Sequence, residues 1–174
     1  MTLPMCVACG KTVGMTASRC DKCKEILCQY CKPSHQCIDR PAREVLHLTT
    51  AHLWAERSVC KRSKVGCVIT TPDMRQILAF GYNGPAKGLS DHSCTGEEGK
   101  CGCLHAEDNA CIQVDARVMG KRAFVTVAPC FMCAQRLINA GVEQVYYSEA
   151  YRDTLGLEVL TACGVESRQI SLAQ

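Results

Sequence analysis

Aromatic residues are scarce in this chain: one tryptophan, five tyrosines and three phenylalanines make up 5% of 174 residues. No interleaving of rings with basic residues is visible, which argues against a stacking platform for a nucleic-acid strand. Long apolar runs are missing too. None approaches the roughly 18 residues of a membrane-spanning helix, and the opening MTLPMCVACG lacks a charged segment followed by an apolar one. The expected location is therefore cytoplasmic, with no membrane partner. Neither sign of charge dominates, and a net charge of +3 gives only weak support for an anionic partner. With 47% hydrophobic and 21% charged residues, the chain suits one good core plus a small appendage.

Cysteine is what the chain has in excess: 16 residues. In a short secreted chain that density would read as a disulfide framework. Here no export signal accompanies it, and several cysteines fall in C-x-x-C pairs, a spacing that suits two thiolates on one tetrahedral metal in a reducing compartment. Cys6, Cys9, Cys20, Cys23, Cys28, Cys31, His35 and Cys37 form one group of eight soft ligands, enough for two zinc ions. Around them stand few large apolar residues (Leu3, Val7, Val13, Ile26, Leu27, Tyr30), so metal binding would supply the folding free energy of this segment. The spacing resembles AN1-type and B-box-like zinc fingers. That resemblance implies an interleaved pairing, with Cys6, Cys9, Cys28 and Cys31 on one ion and Cys20, Cys23, His35 and Cys37 on the other. Cys31 departs from the AN1 pattern, where a histidine is more usual. The unit is expected over residues 1–40, either as a structural knob or as a module that touches a protein or a nucleic acid.

Beyond Pro41 the periodicity changes. Val45, Leu48, Ala51, His52, Ala55 and Val59 recur at three- and four-residue steps and predict a helix over 42–59. KVGCVITT (64–71) and RQILAFGYNG (75–84) read as strands parted by a hairpin turn at Pro72-Asp73. A glycine-rich loop follows. After it come an expected helix 105–116, strand 122–127, helix 130–140, strand 143–147, helix 152–162 and strand 165–170. Strands alternating with helices predict an α/β domain over 41–174 with helices on both faces of the sheet.

Two short motifs carry the chemistry. In LHAEDNAC (104–111), His105 and Glu107 are two residues apart, a spacing that does not share a helix face. In VTVAPCFMC (125–133), a strand ends at Pro129, and Cys130 and Cys133 sit one turn apart at a helix start, where backbone dipoles favour thiolates. His105, Cys130 and Cys133 make three ligands, leaving the fourth position that distinguishes a catalytic zinc from a closed structural one. Glu107 is then free to act as a general acid and base beside that position. Each half alone is weak. Together they form the H-x-E…P-C-x-x-C pattern of zinc-dependent nucleobase deaminases.

From about Arg43 to Val165 the chain resembles the deoxycytidylate (dCMP) deaminases of the cytidine deaminase-like superfamily. The matching segments are AERSVCKRSKVGCVIT, GYNGPAKGL, CGCLHAEDNAC, FVTVAPCFMCAQRLINAGVEQVYY and EAYRD. The resemblance implies a three-layer α/β/α domain around a five-stranded mixed sheet, and a homo-oligomer, a hexamer being one such state. It also implies that Asn83 reaches the sugar, that the backbone at Ala106 holds the pyrimidine edge, and that Tyr151 closes over the substrate. For a phosphate, Arg57, Ser58, Lys61 and Arg152 are further candidates. Cys60, His92, Cys94, Cys101 and Cys103 offer ligands for one more structural zinc, four of the five sufficing. Cys67, Cys111 and Cys163 read as buried thiols outside any metal site.

The function expected is hydrolytic deamination of a cytosine nucleotide, dCMP to dUMP with release of ammonia. It would use one catalytic zinc, two in the finger and one further structural ion. Two alternatives stand beside it: a deaminase of cytosine in single-stranded DNA or RNA delivered by the finger, and a non-catalytic binding protein on the same fold.

Overall fold

The computed structural model describes residues 5–7, 9, 11–13, 18–20, 25–35 and 41–172. The chain divides into two compact units, Met1–Pro41 and Ala42–Gln174.

In the first unit a two-residue antiparallel pair, β1 (Ser18–Arg19) and β2 (Ile26–Leu27), supplies the scaffold. Val7 N–H donates to Ile26 O at 3.1 Å and Cys20 N–H to Glu25 O at 2.9 Å, tying the cysteine-bearing turns to that pair. Among the described residues of this unit the buried hydrophobic ones are Cys6, Val13 and Leu27, with Cys20, Ile26, Cys28 and Cys31 packed against them.

The second unit is built on five strands in the order β4-β3-β5-β6-β7. They are β3 (Gly66–Thr70), β4 (Ile77–Tyr82), β5 (Lys121–Val127), β6 (Val142–Glu149) and β7 (Glu166–Gln169). β3 runs antiparallel to both β4 and β5, whereas β5, β6 and β7 are mutually parallel, so the sheet is mixed. The expected turn at Pro72-Asp73 is present: Thr71 N–H donates to Gln76 O, and Met74 takes φ +56° to close it.

Alternation along the strands sets the layers. Cys67, Ile69, Ala123, Val125 and Val145 face one side, while Val68, Phe124 and Tyr146 face the other. Helix α1 (Arg43–Ala55) covers the second side with Leu48 and Ala51. On the first side lie α2 (Ala106–Cys111), α3 (Phe131–Asn139) and α4 (Leu155–Ala162), through Ala106, Ala110, Ala134, Leu137 and Leu160. All five residues of β3 are buried because both its faces are covered. Among the described residues no helix is long and apolar enough to cross a membrane.

Two helices are shorter than their apolar pattern predicts. α1 stops at Ala55 and not at Val59, because Glu56, Arg57 and Ser58 close with i→i−3 bonds to Leu53, Trp54 and Ala55. α2 stops at Cys111 and not at residue 116, since Gln113 and Val114 tighten in the same way and Ile112 is left exposed. α4 starts at Leu155, three residues later than predicted.

Candidate metal centre and its cavity

The two ligand motifs meet because each sits at the entrance of a helix. His105 is the N-cap of α2 (φ −76°, ψ 159°) and Cys130 the N-cap of α3 (φ −69°, ψ 169°), both extended residues turning into a helix. Close approach fixes both entrances. A Cβ on Gly81 of β4 would lie 2.2 Å from Ala106 O, and one on Gly156 of α4 would lie 1.9 Å from Pro129 O. Gly84 and Leu104 exchange two backbone hydrogen bonds, at 3.1 and 2.8 Å, which seat the chain just before His105 on the end of β4. Arg136 on α3 donates to Asp108 on α2 at 2.5 Å and holds the two helices to each other.

The result is a compact donor set. His105 Nδ1 lies 3.2 Å from Cys133 Sγ and 3.6 Å from Cys130 Sγ. In a tetrahedral zinc site the N···S and S···S edges are roughly 3.6 and 3.8 Å, from ~2.0–2.1 Å Zn–N and ~2.3 Å Zn–S bonds. The three ligand atoms lie within 4.8 Å of one another, so the residues fit such an ion. Cys130 is brought down to about 3 by hydrogen bonding from Cys133 and then from His105, while Cys133, which shares that contact and is buried, is pushed up. His105 is raised by Cys130 first and by the charge of Glu107 among lesser causes.

Glu107 is buried in the first turn of α2, and burial raises its carboxyl group to about 7. It lines a cavity of about 400 Å³ together with His105, Ala106, Cys130 and Asn83. Asn83 is buried and uses both ends of its amide: Oδ1 accepts from Val65 N–H at 2.8 Å, and Nδ2 donates to Ser63 O at 2.8 Å. Its neighbour Gly84 pairs with Leu104, so Asn83-Gly84 does not form a two-residue hairpin turn.

The lining also includes Arg62, Ser63, Tyr151, Arg152 and Asp153. Arg57, Ser58 and Lys61 stand outside it. α1 ends at Ala55, Ser58 Oγ accepts from Cys60 N–H at 3.2 Å, and the chain bends at 61–62, where Lys61 and Arg62 are both exposed and Arg62 lines the cavity. Nothing in the sequence distinguishes two adjacent basic residues on either side of a bend, and so Arg62 and Ser63 escaped sequence reasoning. Tyr151 is raised by burial, with the Arg62 guanidinium opposing that rise.

Beside the cavity the sulfurs of Cys60, Cys94, Cys101 and Cys103 also converge within 4.8 Å, with Cys60 Sγ and Cys94 Sγ 3.8 Å apart. Backbone N–H groups of Lys61 and Gly96 aim at Cys94 and bring its thiol down to about 7 against the cost of burial. His92, the fifth candidate, is exposed on a short turn capped by Ser90 and takes no part. In the first unit Cys6, Cys9, Cys28 and Cys31 converge likewise, and the N–H groups of Cys31 and Tyr30 lower Cys28. Of the other expected finger set, Cys20 and His35 are described, whereas Cys23 and Cys37 lie outside the described residues. Cys67 is buried and Cys111 half-buried, but Cys163, expected to be buried, is exposed at the end of α4.

A family model describing the cytidine and deoxycytidylate deaminase zinc-binding region matches residues 42–149. The chain belongs to this family. A deoxycytidylate deaminase of Saccharomyces cerevisiae is 31% identical over 148 residues, covering 78% of this chain and 47% of that protein. The deoxycytidylate deaminase of Schizosaccharomyces pombe is 31% identical over 145 residues, covering 75% of this chain and 44% of its own length. This chain thus spans less than half the length of either yeast relative. Among solved structures, a dCMP deaminase from the cyanophage S-TIM5 in complex with dCMP and dUMP matches with a TM-score of 0.67 and 35% identity, over 76% of this chain and 100% of that one. As a member of this family, the chain carries a zinc-binding deaminase region.

Proposed function

We propose that this protein is a zinc-dependent hydrolytic deaminase that converts dCMP and water to dUMP and ammonia. The observation that carries the reading is the buried Glu107 beside the convergent His105, Cys130 and Cys133, in a cavity that Arg62 and Arg152 also line. The similarity to deoxycytidylate deaminases and to the phage enzyme crystallised with dCMP and dUMP supports the same substrate.

In this reading His105, Cys130 and Cys133 hold the ion, whose contribution is to make water nucleophilic near neutral pH. Glu107 takes the proton released as water adds to C4 of the pyrimidine. It delivers that proton to the ring nitrogen, then takes the proton of the new C4 hydroxyl and passes it to the departing amine, so that the C4–N bond breaks, ammonia leaves and the C4 carbonyl of dUMP remains. Its elevated affinity for a proton, a consequence of burial, keeps both forms accessible at neutral pH. The Ala106 backbone orients the base. Asn83, already fixed by Ser63 and Val65, presents its remaining hydrogen-bonding capacity to the sugar. Arg62, Ser63, Tyr151 and Arg152 receive the phosphate, in place of Arg57, Ser58 and Lys61.

The same proposal assigns a structural zinc to Cys60, Cys94, Cys101 and Cys103 and two to the N-terminal unit, on Cys6, Cys9, Cys28 and Cys31 and on Cys20, Cys23, His35 and Cys37. That unit is a finger for a protein or nucleic-acid partner, and the assembly is a cytoplasmic homo-oligomer, hexameric in the expected state. Ammonia release from dCMP, measured beside cytidine, deoxycytidine, dCTP and a cytosine-containing single strand, tests the substrate. Preferential turnover of dCMP is expected. Turnover of the strand alone would make the polynucleotide the substrate and overturn the reading.

A further inference from the structure

Arg152, assigned above to the phosphate, is paired with a carboxylate that the deamination chemistry leaves unused. Glu98 stands on the loop between Cys94 and Cys103, and its carboxylate contacts the Arg152 guanidinium. The loop is a self-bonded tab. Thr95 N–H donates to Cys101 O at 3.1 Å, and Lys100 N–H donates to Glu97 O at 3.3 Å. Glu97 N–H donates to Thr95 Oγ1 at 3.1 Å, and that hydroxyl donates to Lys100 O at 3.2 Å. Gly96, Gly99 and Gly102 supply left-handed turns at φ +81°, +69° and +78°. Both ends of the tab join the convergent sulfurs of Cys60, Cys94, Cys101 and Cys103. Its tip is therefore held in place, and Gly99, next to Glu98, faces the cavity along with Arg62, Tyr151, Arg152 and Asp153.

The surroundings of Arg152 are unusual for a phosphate receiver. Besides Glu98, its Nε lies 3.9 Å from Asp153 Oδ2, and its Cζ lies 5.4 Å from the centre of the Tyr151 ring. The side chains of Arg152 and Glu98 are 51% and 65% exposed, so their pairing stabilises the fold little. The pair's hold on a cavity-lining arginine points to the charge of what enters.

We infer that Glu98 is a specificity-determining residue: by occupying Arg152 it limits the anionic charge accepted at the phosphate end, admitting a nucleoside monophosphate and rejecting a triphosphate. The inference rests on the deaminase reading. A monophosphate carries a charge of about −1.5 to −2, to be met by Arg62 and by the Arg152 nitrogen that contacts neither Glu98 nor Asp153. Each further phosphate would call on the Arg152 nitrogen that Glu98 holds and would have to break that pair. Glu98 acts through Arg152 and is a positioning residue rather than a catalytic one.

The test compares kcat and KM for dCMP, dCTP and deoxycytidine in the zinc-loaded full chain, as wild type, Glu98→Gln, Glu98→Asp, Arg152→Gln and the Glu98→Gln/Arg152→Gln pair. Glu98→Gln is expected to raise the dCTP-to-dCMP ratio of kcat/KM about three- to tenfold, through KM, as the loss of one partly screened charge contact implies. Deoxycytidine, lacking a phosphate, should not follow that shift, Glu98→Asp should restore the wild-type ratio, and Arg152→Gln should abolish the effect of the second change. An unchanged ratio, or an equal shift for deoxycytidine, overturns the inference. Calorimetric binding of dCMP and dCTP reads the same ratio without turnover. A wild type that turns over no cytosine nucleotide thus overturns the deaminase reading, while an unchanged binding ratio in Glu98→Gln overturns the role of Glu98.

Discussion

Asn83 holds two backbone groups in place and also lines the cavity where the proposed substrate sits. Because its amide bonds both Val65 N–H and Ser63 O, truncation leaves two backbone groups short of a partner in a half-buried setting. Asn83→Ala is expected to cost about 1–3 kcal/mol, read by urea denaturation, and to reduce dCMP turnover as well. An unchanged midpoint would show that those bonds are dispensable. The sulfur cluster gives a sharper comparison. Cys101→Ser should remove about one zinc equivalent per chain, whereas His92→Ala should leave the metal content as it was, both measured by mass spectrometry of the protein's metals. Equal losses would return His92 to the ligand set. Most of this site was legible in the sequence, since His105, Glu107, Cys130 and Cys133 follow from spacing and chemistry alone. The phosphate end was not. Lys61 and Arg62 are adjacent basic residues on an irregular bend, and no periodicity marks which of them lines the cavity.

At the scale of elements the apolar pattern located every helix and strand of the second unit but overran the ends of α1 and α2. Periodicity reports which face is buried. It is blind to the i→i−3 bonds that end a helix early, and Val59 and Ile112, which kept the pattern going, are exposed. Turn chemistry was easier to see. In the β3–β4 hairpin the Asp73 carboxylate accepts from Thr71 Oγ1 at 2.6 Å and from Arg75 N–H at 3.1 Å, and these contacts hold it below its ordinary range. A depressed carboxyl contributes stability above its unfolded value of about 3.9 and loses it as pH falls through the lower folded value. Wild type should therefore melt slightly above Asp73→Asn at pH 6, with the gap closing as pH falls through the lowered folded value. A gap that persists in acid would assign the effect to amide geometry and not to charge.

For the molecule as a whole, the division into two units has a functional corollary. The proposed ligands His105, Cys130 and Cys133, the proposed acid-base group Glu107 and every cavity-lining residue named above belong to the second unit. A fragment beginning at Ala42 is therefore expected to retain dCMP turnover within about an order of magnitude of the full chain, a change of ~1.4 kcal/mol or less in activation free energy. Loss of turnover in a folded, zinc-loaded fragment would make the N-terminal unit part of the active assembly. The central claim is that buried Glu107 moves protons beside a metal held by His105, Cys130 and Cys133. Its most direct test is the rate of dCMP conversion by Glu107→Gln and wild type, compared at equal zinc content. The account predicts a drop in kcat of about 10²–10⁴-fold or more with the metal retained. Equal rates would contradict it.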